Sequence, residues 1–359
     1  MTRALCGLLL AASGCTPVAK EMGTLEKMPS VQGRDGAVSA LLWGRSVWDF
    51  GDTVLDVNDV NGENWHHNSF AYTSDLDARD GLTTFEQRTD DAGAPVYFVA
   101  PTDDEWAFNH AHLGDSCAEP PCGARWAVWP GTMVFDEARD RALIFYSLIY
   151  AEPGDFNFHG VGNSVAVWSA FDALPERPVV APDAGHPTLL FGEDDPPWGT
   201  GATVVDGDVY VFGCGAKDQG LAPPCRLARV ALESVTDRSA WRFFDGSNWS
   251  ADPSRAAVLF TGAPTVTLFF NKHLDAWSTV YTLPLSNDVV LRTAPKLTGP
   301  WGAPRKLFTA NKPEGSAYDV NVHPELAPDD GKLLFATFSR SNGVGWFGSE
   351  FVLERVELP

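Results

Sequence analysis

Basic residues are scarce in this chain, and the scarcity closes off several kinds of partner. Only 26 Lys and Arg stand against 47 Asp and Glu, a formal net charge of −21 over 359 residues. Nothing here would neutralise a phosphate backbone, which excludes nucleic acid as a partner. Polybasic docking on an anionic lipid surface is excluded for the same reason. Acidity of this size keeps an exported protein soluble and repels anionic partners. Long apolar runs are missing too: beyond the N-terminal dozen residues none is long enough to span a bilayer as a helix. No stretch sustains a 3.6-residue apolar period, and Leu232 to Arg238 amounts to a short turn. Cysteine is rare, six in all.

What is abundant is turn and aromatic material. The chain has 33 Gly and 26 Pro, which favour many turns over long helices, and 13 Trp with 22 Phe to fill a core. The first residues read as an export signal: Arg3, then the short apolar stretch Ala4 to Ala12. Ala12-Ser13-Gly14-Cys15 resembles a bacterial lipobox. The expectation is therefore a signal peptide over 1–14, a lipid carried by Cys15, and a membrane-anchored protein at the outer membrane or cell surface. Residues 15–32 lack periodicity and read as a tether, leaving 33–359 as one domain.

Four of the remaining cysteines form two local pairs, in SCAEPPC (Cys117, Cys122) and CGAKDQGLAPPC (Cys214, Cys225). Four cysteines allow three connectivities, and proximity favours Cys117–Cys122 and Cys214–Cys225. A structural zinc site is the rival reading, but neither segment has the C-x2-C spacing of a zinc knuckle.

One hairpin theme recurs five times. Gly33 to Leu55 has an apolar run, a tight Gly44-Arg45-Ser46 turn and a second apolar run. The same theme returns in Gly131 to Tyr150, Gly201 to Gly215, Pro264 to Pro284 and Val320 to Ser339. Weaker strand-like runs lie between them: Ser164 to Ala170, Leu227 to Leu232, Val289 to Thr293 and Phe351 to Val356. Two strong strands and weaker outer ones, repeated, describe a four-stranded blade. The expected fold is all-β, a five-bladed β-propeller. A β-sandwich is the alternative, and repetition of one hairpin argues for radial stacking.

The first hairpin also carries chemistry. Asp35 enters its first strand and Asp52 leaves its second, 17 positions later. Antiparallel pairing puts those two ends side by side. Two carboxylates facing one site are the minimum equipment of a glycosidase: one gives a proton to the leaving oxygen, the other attacks or activates water. Close carboxylates push their pKa values apart, as that division of labour requires.

The motifs GRDGAVS…WGRSVWDFGDTVL, WPGTMV, PWGTGATVVDGDVYVFG, VVLRTAPKLTGPW and YDVNVHPELAPDDGKLL occur in this order. Together they resemble a family of secreted bacterial propeller proteins catalogued as a domain of unknown function. That family is similar to five-bladed glycoside hydrolases acting on arabinofuranosides and fructofuranosides, and some members are endo-D-arabinanases. The resemblance spans about Gly33 to Leu358; the first-blade FGDT and the final-blade HPEL are its specific parts. It implies that Asp35 and Asp52 are the catalytic pair, with Asp52 the nucleophile or base and Asp35 the acid. Related furanosidases add a third acid from a middle blade. WGTG at Trp198 to Gly201 offers none, which leaves Glu193, Asp194 and Asp195 as candidates just before it.

Substrate-binding candidates are Trp129 and Trp198, which begin inner strands and offer ring faces to a sugar, together with His323, Glu325 and Asp319 near the last blade. Each has a structural reading beside the functional one. Asp35 pairs with Arg34 or makes a turn, Asp52 caps a turn, His323 locks blade closure, and the Trp side chains pack between blades. His66 and His67 lie in a loop after the first hairpin. With no Asp or His partner at helical spacing they do not read as a metal pair, so no metal or cofactor is expected. The expected partner is a polysaccharide or other glycan, cleaved by an anchored glycoside hydrolase. The alternatives are a carbohydrate-binding propeller without catalysis and an envelope interaction scaffold.

Overall fold

The computed structural model describes residues 16–154, 156–215, 222–327, 330–344 and 347–359. Five antiparallel sheets are arranged as five blades in chain order. The first blade holds Val31–Leu42 and Arg45–Leu55, with Trp65–His66 and Ser69–Thr73 outside them. The second holds Arg125–Asp136, Arg141–Ala151, Phe158–Trp168 and Phe191–Gly192. Trp198–Val205, Asp208–Cys214 and Pro224–Ala231 lead the third. Thr267–Asn271, Ala276–Thr282, Asp288–Ala294 and Arg305–Thr309 make the fourth. Asn321–Val322, Leu333–Ser341 and Ser349–Glu357 belong to the fifth. Inner strands of successive blades neighbour one another, and the fifth closes on the first. The expected five-bladed β-propeller is thus the fold.

Its core is not one cluster but five apolar layers, one in each seam between blades. A blade between two neighbours is covered on both faces. Its strands therefore read as continuous apolar runs, such as ALIFYSLIY from Ala142, rather than as alternating ones. That is why the hairpins were legible as a repeat.

Three local expectations are corrected. The stretch read as a tether contains a strand, Val18–Thr24, which pairs antiparallel with Ser349–Glu357 as the outer strand of the fifth blade. Its side chains are mostly exposed, so it carries no apolar signal. The first turn is Trp43-Gly44, one residue earlier than expected, with φ of 47° and 72°; two residues at positive φ match the twist of the flanking strands. A helix also exists, Asp103–Ala111. It buries Glu105 rather than an apolar stripe, so no 3.6-residue period announced it. Thr102 and Glu105 form a capping box, and Glu105 also takes a hydrogen bond from Arg177 at 2.9 Å.

Both expected disulfides, Cys117–Cys122 and Cys214–Cys225, are present, which fits an oxidising compartment. The signal peptide and Cys15 lie outside the described residues. Among those described, no helix is long and apolar enough to cross a membrane.

Candidate active site

Asp35 and Asp52 meet at the open end of the first hairpin. Around Asp35 the pairing slips, between Arg34 and Gly36 and again between Gly36 and Val38. Gly36 and Ala37 have φ of 86° and 76°. Such bulges re-aim a side chain, and here the Asp35 carboxylate lies over Gly51. A Cβ on Gly51 would stand 2.4 Å from Asp35 Oδ1; glycine is what leaves room for the carboxylate. Both aspartates line a cavity of about 240 Å³, with Lys312, Tyr318, Arg340 and Phe347 among its walls.

The two carboxylates have unlike surroundings. Asp35 accepts a hydrogen bond from the Tyr318 hydroxyl at 2.7 Å. Burial, then the charge of Asp52, raises its pKa to about 7; the Tyr318 bond opposes that rise and the Asp319 charge adds to it. Asp52 is also raised by burial, but three groups hold it down: the Arg125 guanidinium, the Trp65 indole and the Trp129 indole. Trp65 Nε1 donates to Asp52 Oδ1 at 3.1 Å. The Trp129 N–H faces the same carboxylate but is buried without a well-formed hydrogen bond. Near neutral pH this environment favours a proton on Asp35 and a charge on Asp52.

Neither carboxylate fills the structural role weighed for it. Arg34 turns away from Asp35: Nη2 donates to Gln87 Oε1 at 2.8 Å, and the guanidinium stands 4.5 Å from the Phe50 ring centroid. Asp52 lies within a strand rather than at a turn. Thr53 Oγ1 instead serves the local backbone, donating to Gly51 O at 3.0 Å.

The other sequence candidates divide. Trp129 is at the site, its ring packed edge-on against Phe158 at 5.1 Å. Asp319 sits just behind the cavity, 2 % exposed, accepting the Ser339 N–H at 3.3 Å on both oxygens. Trp198 is a correction: it is 2 % exposed in the seam between the second and third blades, 5.2 Å from Phe243. His323 and Glu325 are a second correction. His323 is fully buried, stacked at 4.0 Å on Trp48, with Nδ1 2.6 Å from Ser39 Oγ and Nε2 2.8 Å from Thr337 Oγ1. Burial drops its pKa to about 3, so the ring is neutral. Glu325 accepts hydroxyl protons from Ser39 at 2.5 Å and Ser46 at 2.6 Å. Both residues therefore latch the last blade to the first. Asp195 forms an ion pair with Arg238 at 3.2 Å and does not line the cavity; the further carboxylates near the pair are Glu314, in the cavity wall, and Asp319, whose charge acts on Asp35.

Sequence reasoning missed Arg125, Trp65, Tyr318 and Gly51. Tyr318 is 283 positions from Asp35 and arrives on the loop between blades four and five. Arg125 stands over the Trp65 ring at 4.4 Å, so the second blade braces the donor to Asp52. His66 and His67 part company. His67 Nδ1 meets the Val128 backbone N–H at 3.0 Å, whereas the ring of His66 stands with Asp59 and Glu63, their ligand atoms all within 4.8 Å of one another.

Fold and site together define a five-bladed propeller with a cavity between its first and fifth blades that holds two carboxylates of the first. Residues 170–345 match the family model described as Domain of unknown function (DUF4185). The resemblance read from the sequence, to a propeller family catalogued in those terms, is met by that match, which begins after the first blade. Among solved structures, a Bacteroides ovatus protein described as a candidate hydrolase superposes with a TM-score of 0.62 at 14% identity, over 96% of this chain and 93% of that one. An endo-1,4-β-xylanase from Bacteroides thetaiotaomicron gives a TM-score of 0.49 at 9% identity, over 91% and 92% of the two chains. A β-xylosidase/α-arabinofuranosidase from a compost microbial metagenome gives 0.49 at 12%, over 94% of each. The first of these likenesses supports the fold. No curated protein matches the sequence.

Proposed function

We propose that this protein is a glycoside hydrolase that cleaves within a furanoside polymer such as arabinan, with Asp35 as general acid and Asp52 as nucleophile or base. The observation that carries the reading is the unlike environment of two carboxylates in one cavity. Asp35, beside two like charges, keeps a proton for the leaving oxygen. Asp52, facing a guanidinium and two indole N–H groups, holds the negative charge needed at the anomeric carbon. Tyr318 at 57 % and Phe347 at 36 % exposure offer aromatic faces at the rim for sugar rings. A purely glycan-binding propeller would need the aromatic faces alone, with no reason to set two half-buried carboxylates in one cavity. Export and anchoring through a lipid on Cys15 complete the proposal and bring the cavity to polysaccharide outside the cell.

The test is to incubate the purified protein with a panel of plant and bacterial polysaccharides and measure reducing ends and product size. Short oligosaccharides released from an arabinan support the reading. Release from another glycan alone replaces the substrate but keeps the chemistry. No release from any member, with binding retained, makes the protein a binding module.

A further inference from the structure

We infer that the loop preceding the third strand of the first blade is a binding site for a divalent cation of the zinc type, with Asp59, Glu63 and His66 as ligands. One ring nitrogen of His66 and one oxygen from each carboxylate all lie within 4.8 Å of one another, and Nε2 is the nitrogen 3.2 Å from Asp59 Oδ2. Oxygen and nitrogen ligands at about 2.0–2.2 Å from zinc stand somewhat closer together than that, so a small inward movement completes the set. The side chains are 4 % exposed at Asp59, 2 % at His66 and 11 % at Glu63. Two carboxylates buried this deeply need a compensating charge. Among the described residues neither forms an ion pair with a lysine or arginine. Asp59 Oδ1 takes the backbone N–H groups of Asn61 and Glu63 at 2.9 and 2.8 Å. Glu63 accepts the Tyr97 hydroxyl at 3.3 Å, and the His110 ring at 3.9 Å and the Arg125 charge act on it from further off.

The imidazole supplies an independent indication. Stacking on Tyr97 at 4.1 Å fixes the ring so that Nε2 faces the carboxylates, 3.2 Å from Asp59 Oδ2. Nδ1 is buried without a well-formed hydrogen bond. If the proton sits on Nε2, the Nδ1 lone pair meets no donor. If it sits on Nδ1, the Nε2 lone pair confronts a carboxylate. A cation at Nε2 resolves the second case. Ligating histidines commonly hand their other N–H to a backbone carbonyl, and the Pro95 carbonyl is the backbone acceptor beside this ring. His110, from the last turn of the helix, stands 3.9 Å from Glu63 Oε1 and offers a fourth donor at the mouth. One imidazole with carboxylates suits zinc better than calcium, which prefers oxygen alone. Trp65 lies between two of the ligands in the chain and donates to Asp52, so a metal here would stiffen the support of that carboxylate.

The test uses the full mature chain, treated with chelator, dialysed, then given zinc or calcium chloride, with bound metal measured by elemental analysis and melting followed by scanning calorimetry. One equivalent of zinc retained, with a melting point raised by several degrees, is expected. Glu63→Gln and Asp59→Asn should each weaken zinc binding at least roughly tenfold; Glu63→Gln leaves the Asp59 loop bonds in place, so its fold is safe. No zinc retained, zinc retained undiminished by both variants, or calcium taken in preference to zinc would each overturn the assignment. Glycan cleavage has no part in the readout.

Discussion

The two ends of the first hairpin hold half-buried carboxylates in opposite circumstances. Near the turn, Glu325 reaches in from the last blade and receives two hydroxyl hydrogen bonds, from Ser39 and Ser46. The Ser46 oxygen in turn accepts the Trp48 indole N–H at 2.8 Å, and His323 completes the network as a neutral ring. Every partner is local, polar and uncharged apart from the glutamate itself. At the open end, Asp35 receives one hydroxyl but faces the charges of Asp52 and Asp319. The difference teaches how to tell a latch from a reactive site on one strand pair. A carboxylate supplied with donors stabilises the fold, whereas one set against like charges beside a cavity is poised to exchange a proton.

Breaking the open end should cost activity and spare the fold. Asp52→Asn keeps shape and a hydrogen-bond acceptor but loses the charge. Turnover is expected to fall by at least about two orders of magnitude, roughly 3 kcal/mol of barrier, with the melting temperature kept. Gly51→Ala should be the next largest effect, because the new methyl displaces the Asp35 carboxylate. A loss of about tenfold to a hundredfold in kcat, with KM less affected, would mark it as a positioning change.

Breaking the latch should do the reverse. His323→Ala removes a fully buried ring and strands Ser39 and Thr337, which should cost about 2–4 kcal/mol of stability by denaturant unfolding. Per folded molecule, turnover should stay near wild type. The smallest effects sharpen the contrast by moving one pH limb in two directions. The Tyr318 hydroxyl favours ionised Asp35, so Tyr318→Phe raises the pKa of that acid and shifts the alkaline limb of the rate profile upward. The charge of Asp319 disfavours ionised Asp35, so Asp319→Asn lowers the same limb. Rate profiles of both variants in one buffer series check the signs.

Much of this was written locally and so was readable. Each hairpin is contiguous, and the two aspartates flank one of them, so antiparallel pairing alone brings them together. What stayed hidden depends on contacts between blades. Arg125 comes from the second blade and Tyr318 from the approach to the fifth, and no spacing rule connects them to Asp52 or Asp35; Trp129 was named from the sequence, but as a sugar platform and not as a neighbour of Asp52. The HPEL motif was recognised, but its His323 and Glu325 were read as substrate-binding candidates. Its real position, in the seam facing Ser39 and Ser46, follows from ring closure rather than from its own residues. The strand Val18–Thr24 escaped because an exposed outer strand has no apolar pattern to show. For the helix a signal was present: Thr102-Asp103-Asp104-Glu105 is a capping box in plain sequence. Requiring an apolar period concealed it. The cluster at His66 was missed for a similar reason, because its partners sit three and seven positions upstream in a loop and not at helical spacing.

The proposed chemistry requires Asp35 to hold its proton where Asp52 does not, and that can be measured without any substrate. Carbon-13 labelling of aspartate side chains, followed by an NMR pH titration of the whole protein, reads the Asp35 carboxyl directly once Asp35→Asn has identified its signal. The predicted midpoint is about 7 in the wild type. It should fall in Asp52→Asn, because a like charge that opposes ionisation is gone. A midpoint in the ordinary aspartate range, about 3.9, and unmoved by Asp52→Asn would contradict the assignment of acid and base.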